Sequence, residues 1–239
     1  MKLGSWLHIA NISLAEVFSE YFDCIVIDLE HGMIGLDSCY SLIPVIQKNS
    51  KCFVRTWGND YNSIARILDA GPDGIIVPRV NNIGIAENVI QAARYPKTKF
   101  PAKEEYRGYG IGRAQGFDPN VDFNSIRPDL ILQLEHVDVM SHLDWIFSRD
   151  IDGIFVGPYD FTASMGIPAQ FENPEYQKHI ETILQKAQQY NLKYIGIHVV
   201  DADTDKVKYF EKMGYNFIAV GTDMVIFNQA LKNICEKLK

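Results

Sequence analysis

The hydrophobic pattern switches from strand period to helix period eight times, and nothing else in the sequence constrains the fold as strongly. Short apolar, β-branched runs predict strands at residues 6–10, 24–28, 52–55, 74–78, 130–134, 153–156, 194–198 and 217–221. A helical stretch follows each. Ser13-Leu-Ala-Glu16 reads as a capping box that starts the first helix. A second helix spans about 36–47. Asn59 or Asp60 caps a third, which runs to Ala70 and stops at Gly71-Pro72. Others are predicted at 83–93, 137–147, 173–190 (with Pro174 in its first turn) and 204–213, with a last one to the C-terminus. No internal repeat, low-complexity stretch or linker divides the 239 residues. Eight strand–helix units in one undivided chain predict a single (β/α)8 barrel over residues 1–239, close to the ~250 residues typical of that fold. The rival, an open doubly wound sheet, has fewer strands and needs a glycine-rich turn where this chain has none.

The rhythm breaks once, from 94 to 128. An irregular stretch this long inside a compact domain reads as a functional loop. At its middle, Arg107-Gly-Tyr-Gly-Ile-Gly-Arg113 places three glycines at alternate positions between two arginines. That spacing allows close backbone approach to a ligand and suits an anion. As a phosphate loop the signal is weak, because it does not join a strand to a helix.

Composition narrows the function class. A net charge of −7 excludes the basic footprint of a nucleic-acid binder but not a locally positive pocket for a small anion. No run approaches the roughly 18 apolar residues of a membrane span, and no signal-peptide core follows the N-terminus. The four cysteines (Cys24, Cys39, Cys52, Cys235) lack CxxC spacing and fit reduced, mostly buried thiols in a cytoplasmic protein.

In a barrel, chemistry sits at the carboxyl ends of the strands. Those ends carry Asp28, Glu30 and His31; Arg55; Arg79; Gln133 and Glu135; Gly157-Pro158-Tyr159-Asp160; and His198. Each alone is as readily a satisfied core group. Their convergence on one rim is not explained that way. No lysine ends a strand, since Lys51 and Lys193 precede theirs, so imine chemistry is disfavoured. No Ser or Cys lies on a sharp elbow beside a His. Carboxylates, an imidazole and a guanidinium remain, a set that suits a hard divalent cation, a base and an anion clamp.

In Asp28-Leu-Glu-His31, Val54-Arg55, Leu68-Asp-Ala-Gly71, Gly74-Ile-Ile-Val-Pro78, Arg107-Gly-Tyr-Gly, Gln133-Leu-Glu135 and Gly157-Pro-Tyr-Asp160, the chain resembles the HpcH/HpaI aldolase family. These are metal-dependent class II pyruvate aldolases acting on substrates such as 4-hydroxy-2-oxoheptanedioate or 2-dehydro-3-deoxyglucarate. The resemblance implies a TIM barrel of the phosphoenolpyruvate/pyruvate-superfamily type, a hexamer built as a trimer of dimers, and a last helix exchanged between subunits. It implies Mg2+ or Mn2+, or alternatively Co2+ or Zn2+, held by Glu135 and Asp160. Arg55 would contact the keto or enolate oxygen. Gln133 would line the pocket, and Gly157, Pro158, Tyr159 and Asp160 would hold the carboxylate through their backbone. His31, oriented by Asp28, would be the general base, and Asp69 would reach a neighbouring subunit. The implied partners are a 2-oxo acid and an aldehyde. An acyl-CoA lyase like the citrate lyase β-subunit, or a non-catalytic barrel binding a 2-oxo acid, is the alternative.

The sequence departs from the family at several points. His136 follows Glu135 and is either an extra ligand or a polar wall. Arg79 either selects an anionic distal group or pairs with an acid at a subunit interface. Tyr159 and Phe161 are bulky beside Asp160. His198 is as readily structural as functional, and His8 and His142 read as structural or exposed. Glu30, between Asp28 and His31, points the other way on an extended backbone.

Overall fold

The computed structural model describes residues 1–96 and 106–238. Within them, parallel strands close in sequence order into a barrel: β1 (Lys2–Leu7), β2 (Cys24–Asp28), β3 (Lys51–Arg55), β4 (Gly74–Val77), β5 (Asp129–Leu134), β6 (Gly153–Val156), β7 (Tyr194–Val199) and β8 (Phe217–Thr222). Around them lie α1 (Ile12–Tyr21), α2 (Leu36–Ile46), α3 (Tyr61–Asp69), α4 (Ile83–Ala93), α5 (Leu143–Phe147), α6 (Pro158–Ser164), α7 (Pro174–Gln189), α8 (Thr204–Met213) and α9 (Asp223–Lys237). Among the described residues no helix is long and apolar enough to cross a membrane.

Strand alternation divides the apolar residues into two cores. Ile25, Ile27, Val54, Ile75 and Leu132 face outward into the layer beneath the helices. Trp6, Val26, Phe53, Ile76, Ile131, Phe155, Tyr194 and Phe217 fill the barrel itself. The interior is aromatic, with Phe53 on Tyr194 at 5.6 Å and Phe155 on Phe217 at 5.5 Å. Rings this large need bare backbone opposite. A Cβ on Gly196 would lie 2.3 Å from the Phe155 ring. Below the rings, Asp129 accepts from Lys51 at 3.3 Å, Lys193 at 2.6 Å and the Tyr194 hydroxyl at 2.8 Å, closing the amino-terminal end. Both lysines therefore lie at the rim opposite the strand ends, as their positions before the strands imply.

Several boundaries differ from the sequence-based expectation. β1 runs over Lys2–Leu7 rather than 6–10, because Lys2 pairs with Phe217 and Gly4 with Cys24. The first helix is capped by Asn11, whose side chain accepts from the Leu14 amide at 2.9 Å; Ser13 lies inside its first turn. The stretch 137–147 breaks at His142 into a 3-10 turn (Val137–Ser141) and α5. Helix α6 has no counterpart among the expected elements; Pro158 stands in its first turn, where a missing N–H costs nothing.

Residues 97–105 of the irregular 94–128 stretch lie outside the described residues. Residues 106–128 hold two 3-10 turns, Arg113–Gln115 and Phe123–Ser125, and no strand. Here the arginines serve the chain rather than a free anion. Arg107 is buried, stacks on Tyr95 at 4.6 Å and donates to Asp69 at 2.9 Å. Arg113 donates to the carbonyls of Ala70 at 2.9 Å and Gly71 at 3.1 Å. Together with the Gly108 amide donating to the Tyr61 hydroxyl, these bonds hold the loop along α3.

Candidate active site

Asp28 ends β2 and Arg55 ends β3, and the two are register partners. Their side chains form a double hydrogen bond, Arg55 Nε to Oδ1 at 2.8 Å and a terminal nitrogen to Oδ2 at 2.6 Å. Past Asp28 the chain turns sharply. The amides of Glu30 and His31 donate to Asp28 Oδ1 at 3.0 and 3.3 Å. A Cβ on Gly32 would lie 2.2 Å from the Asp28 carbonyl, so only glycine closes this turn. Asp28 is completely buried. Burial opposes its ionisation, but hydrogen bonds from His8 and Arg55 outweigh that and hold the carboxyl well below the usual range.

The guanidinium lies over the Trp6 ring at 4.4 Å, and its other terminal nitrogen is 3.5 Å from Gln133 Oε1. Gln133 and Glu135 are two residues apart and share the inward face of β5 and its extension. Gln133 donates to Glu135 Oε2 at 2.6 Å. The Arg79 amide donates to Glu135 Oε1 at 2.7 Å, from a backbone held at φ +59°, unusual for a residue with a side chain. Across the rim, Gly157 leads into α6, whose first turn carries Asp160. A Cβ on Gly157 would lie 3.1 Å from both Gln133 Nε2 and Glu135 Oε2, so the bare backbone lets α6 close on β5.

A cavity of about 270 Å3 opens here, lined by Glu30, His31, Arg79, Glu135, His136 and Asp160 among others. Glu135 is buried, and its pKa is pushed up to about 7, first by burial and then by the charges of Glu30 and Asp160. Glu30 is the residue that sequence reasoning missed. Its carboxylate lies 3.1 Å from Arg79 Nε and 3.4 Å from Arg55, while its buried Oε2 has no hydrogen-bond partner. Glu30 is two residues past Asp28, so period two puts it on the same inward face; reading it as turned away sets it against its neighbour His31 alone.

The predicted His31–Asp28 pair takes a different form. Asp28 holds the His31 backbone, not its ring. That ring is 55% exposed over the cavity, with Glu30 at 3.9 Å. The imidazole that meets Asp28 is His8, at 2.9 Å. A strand read four residues late hides this contact. His136 accepts from the Asp138 amide through Nδ1 at 3.2 Å and forms a wall of the cavity. His198 donates to the Gly221 carbonyl at 3.2 Å and packs on Trp6; its pKa is lowered to about 4, chiefly by burial. Tyr159 turns aside and stacks on Phe171 at 5.0 Å. Asp69 is engaged by Arg107 beside α3 and lines no part of this cavity.

The residues fit a divalent cation. Among the described residues no three His, Cys, Asp or Glu side chains form a ready cage. Glu135 and Asp160 can supply two oxygens, leaving the remaining positions to water and a chelating ligand. Glu30 Oε2, which has no hydrogen-bond partner, and the raised Glu135 put carboxylate oxygens at this cavity that a cation can engage.

A family model described as HpcH/HpaI aldolase/citrate lyase matches residues 2–230. A 4-hydroxy-2-oxo-heptane-1,7-dioate aldolase of Salmonella paratyphi A is 31% identical over 94% of this chain and 85% of its own length. A 2-keto-3-deoxy-L-rhamnonate aldolase of Klebsiella pneumoniae is 30% identical over 96% and 86%. A crystal structure of a family protein from Burkholderia cenocepacia J2315 superposes with TM-score 0.90 at 24% identity, covering 99% of this chain and 94% of that one. On the family match and these identities, the chain belongs to the HpcH/HpaI aldolase/citrate lyase family.

Proposed function

We propose that the protein is a divalent-metal-dependent aldolase that reversibly cleaves a 4-hydroxy-2-oxo acid to pyruvate and an aldehyde. The observation that carries this is the buried Glu135, pressed by Glu30 and Asp160 and standing two hydrogen-bonded side chains from Arg55. Glu135 and Asp160 would hold the cation, and an all-oxygen set favours Mg2+ or Mn2+ over Co2+ or Zn2+. When bound, it would polarise the 2-oxo group. Arg55 would face the C2 oxygen as charge develops on it. Gln133 orients Glu135, and the backbone at Gly157, Pro158, Tyr159 and Asp160 would take the substrate carboxylate. His31, its ring open to the cavity, would accept the C4 hydroxyl proton as the C3–C4 bond breaks.

Exchange of the pyruvate methyl protons in D2O, followed by NMR, tests this without knowing the aldehyde. Exchange should require metal, cease with excess chelator and return with Mg2+ or Mn2+. His31→Ala should bind metal and lose exchange. Undiminished exchange in chelator would sink the metal role.

The assembly is part of the proposal. Helix α9 buries only Asp223 and exposes Met224, Phe227, Leu231 and Ile234 along one stripe. An apolar stripe left open on a terminal helix fits exchange with a second copy, within a hexamer built from dimers. Asp69, turned away from its own cavity, would then serve a neighbour. Light scattering should give a mass of several chains, which Phe227→Glu with Leu231→Glu reduces to one. A monomeric, fully active native protein would overturn it. A cytoplasmic location accords with the free, buried Cys24, Cys39 and Cys52.

A further inference from the structure

Two side chains share one buried carboxylate at the mouth of the barrel. Asp28 Oδ2 meets His8 Nε2 at 2.9 Å and an Arg55 terminal nitrogen at 2.6 Å, while Oδ1 takes Arg55 Nε at 2.8 Å. A carboxylate only accepts, so His8 Nε2 carries a hydrogen toward it whether the ring is neutral or charged. The ring is about a quarter exposed, at 26%, so solvent reaches it. The groups around it are few. Asp28 faces it from β2, with Arg55 of β3 behind. His198 of β7 is near enough for the charge of His8 to act on it. From the start of α9, Asp223 accepts from the backbone amides of His8 and Ile9, both at 2.9 Å. Among the described residues Asp28 is the carboxylate that the His8 ring touches, and it holds Arg55 through two hydrogen bonds.

We infer that His8 is a positioning residue for enolate formation, acting through Asp28 to set how much of the Arg55 charge is left for the oxygen that becomes negative. The chemical half of this rests on the aldolase reading; the geometric half does not. With a neutral imidazole, Asp28 is matched mainly against Arg55, and the pair is close to neutral. A proton on the imidazole places a second cation on Oδ2, where it competes for the same lone pairs. Arg55 is then less cancelled, and it is the member of the trio that reaches Gln133 and, at 3.4 Å, the cavity-lining Glu30. No bond to carbon is made or broken by His8. It changes the field at a group that would touch the substrate, and its own proton comes from solvent and returns there.

Two variants separate charge from support. His8→Gln keeps an N–H donor for Asp28 and cannot ionise; His8→Ala loses both. The primary readout is the Arg55 Nε–H resonance in 15N-labelled protein, identified by its loss in Arg55→Lys and followed from about pH 5 to 9, the range in which an imidazole titrates. In the native protein it should shift with pH, and in His8→Gln that shift should vanish. The second readout is metal-dependent pyruvate proton exchange. His8→Ala should lower the maximal rate about tenfold, with the pyruvate concentration at half-rate changed less than about twofold, as expected for a charge-assisted hydrogen bond felt in the transition state. His8→Gln should restore most of that rate yet lose one limb of the pH profile. The inference is overturned if the Arg55 resonance titrates identically in native protein and His8→Gln, or if the two pH profiles superimpose. Should the native protein fail to exchange pyruvate protons at all, the aldolase reading falls, and the Arg55 resonance still decides whether His8 controls Asp28.

Discussion

Replacing Arg55 by methionine should lower turnover by about a thousandfold and destabilise the fold by about 3–5 kcal/mol, two losses with separate causes. The catalytic loss follows from position. Arg55 lies on the Trp6 ring, is tied to Asp28 on one side and reaches Gln133 on the other, so its charge is preorganised where an enolate oxygen would form. The stability loss follows from what remains. Asp28 is completely buried, and without Arg55 it keeps only His8 and two backbone amides. Because its carboxyl is held below the ordinary range, the stability it contributes is present at neutral pH and lost only as pH falls through that depressed value. In Arg55→Met burial is opposed by His8 alone among the side chains, so acidification should cost that variant less than the native protein, and protonating Asp28 should recover part of the lost stability. The double variant Asp28→Asn with Arg55→Met should recover most of the stability and none of the turnover. Urea denaturation against pH, beside the exchange assay, measures both. Equal recovery of both would show that Arg55 serves folding alone.

Which residues the linear pattern places at the rim, and which it does not, has a physical origin. Arg55, Gln133 and Glu135 were legible because each closes an apolar run, and the end of a buried parallel strand is where polarity must reappear. Asp160 was legible from its motif, although the helix that carries it was not. What a linear pattern lacks is which strand end faces which. Asp28 reaches Arg55 on β3 and His8 just past the end of β1, contacts set by the register of adjacent strands, which a linear pattern does not carry. Glu30 lies two residues beyond Asp28, so alternation puts both on one face; contrasting it with His31 hid that, and the turn that carries it is governed by Asp28 accepting backbone amides. The loop arginines looked free because their partners are backbone carbonyls and Asp69, groups that no side-chain pattern reveals.

Glu135→Gln should move stability and function in opposite directions. Burial and the charges of Glu30 and Asp160 raise the Glu135 pKa from an ordinary 4.5 to about 7. A carboxyl whose folded-state pKa is raised costs the fold free energy once it ionises. The cost is absent below about pH 4, grows through the interval from 4.5 to 7, and is complete above it, at about 3 kcal/mol in the metal-free protein. Glutamine keeps one acceptor oxygen, enough for the Arg79 amide, carries no charge, and gives up the bond accepted from Gln133. In the metal-free state the variant should therefore be more stable than the native protein above about pH 7, and equal to it near pH 4. It should also fail to bind the cation, so added Mg2+ or Mn2+ should raise the native melting temperature and leave the variant unchanged. Pyruvate proton exchange should fall to the uncatalysed level. A variant no more stable at pH 8 than at pH 4, relative to native protein, would mean that Glu30, Asp160 and Glu135 do not oppose one another. The raised carboxylate is thus a local instability kept for function, the condition under which a cation restores what the fold gives up.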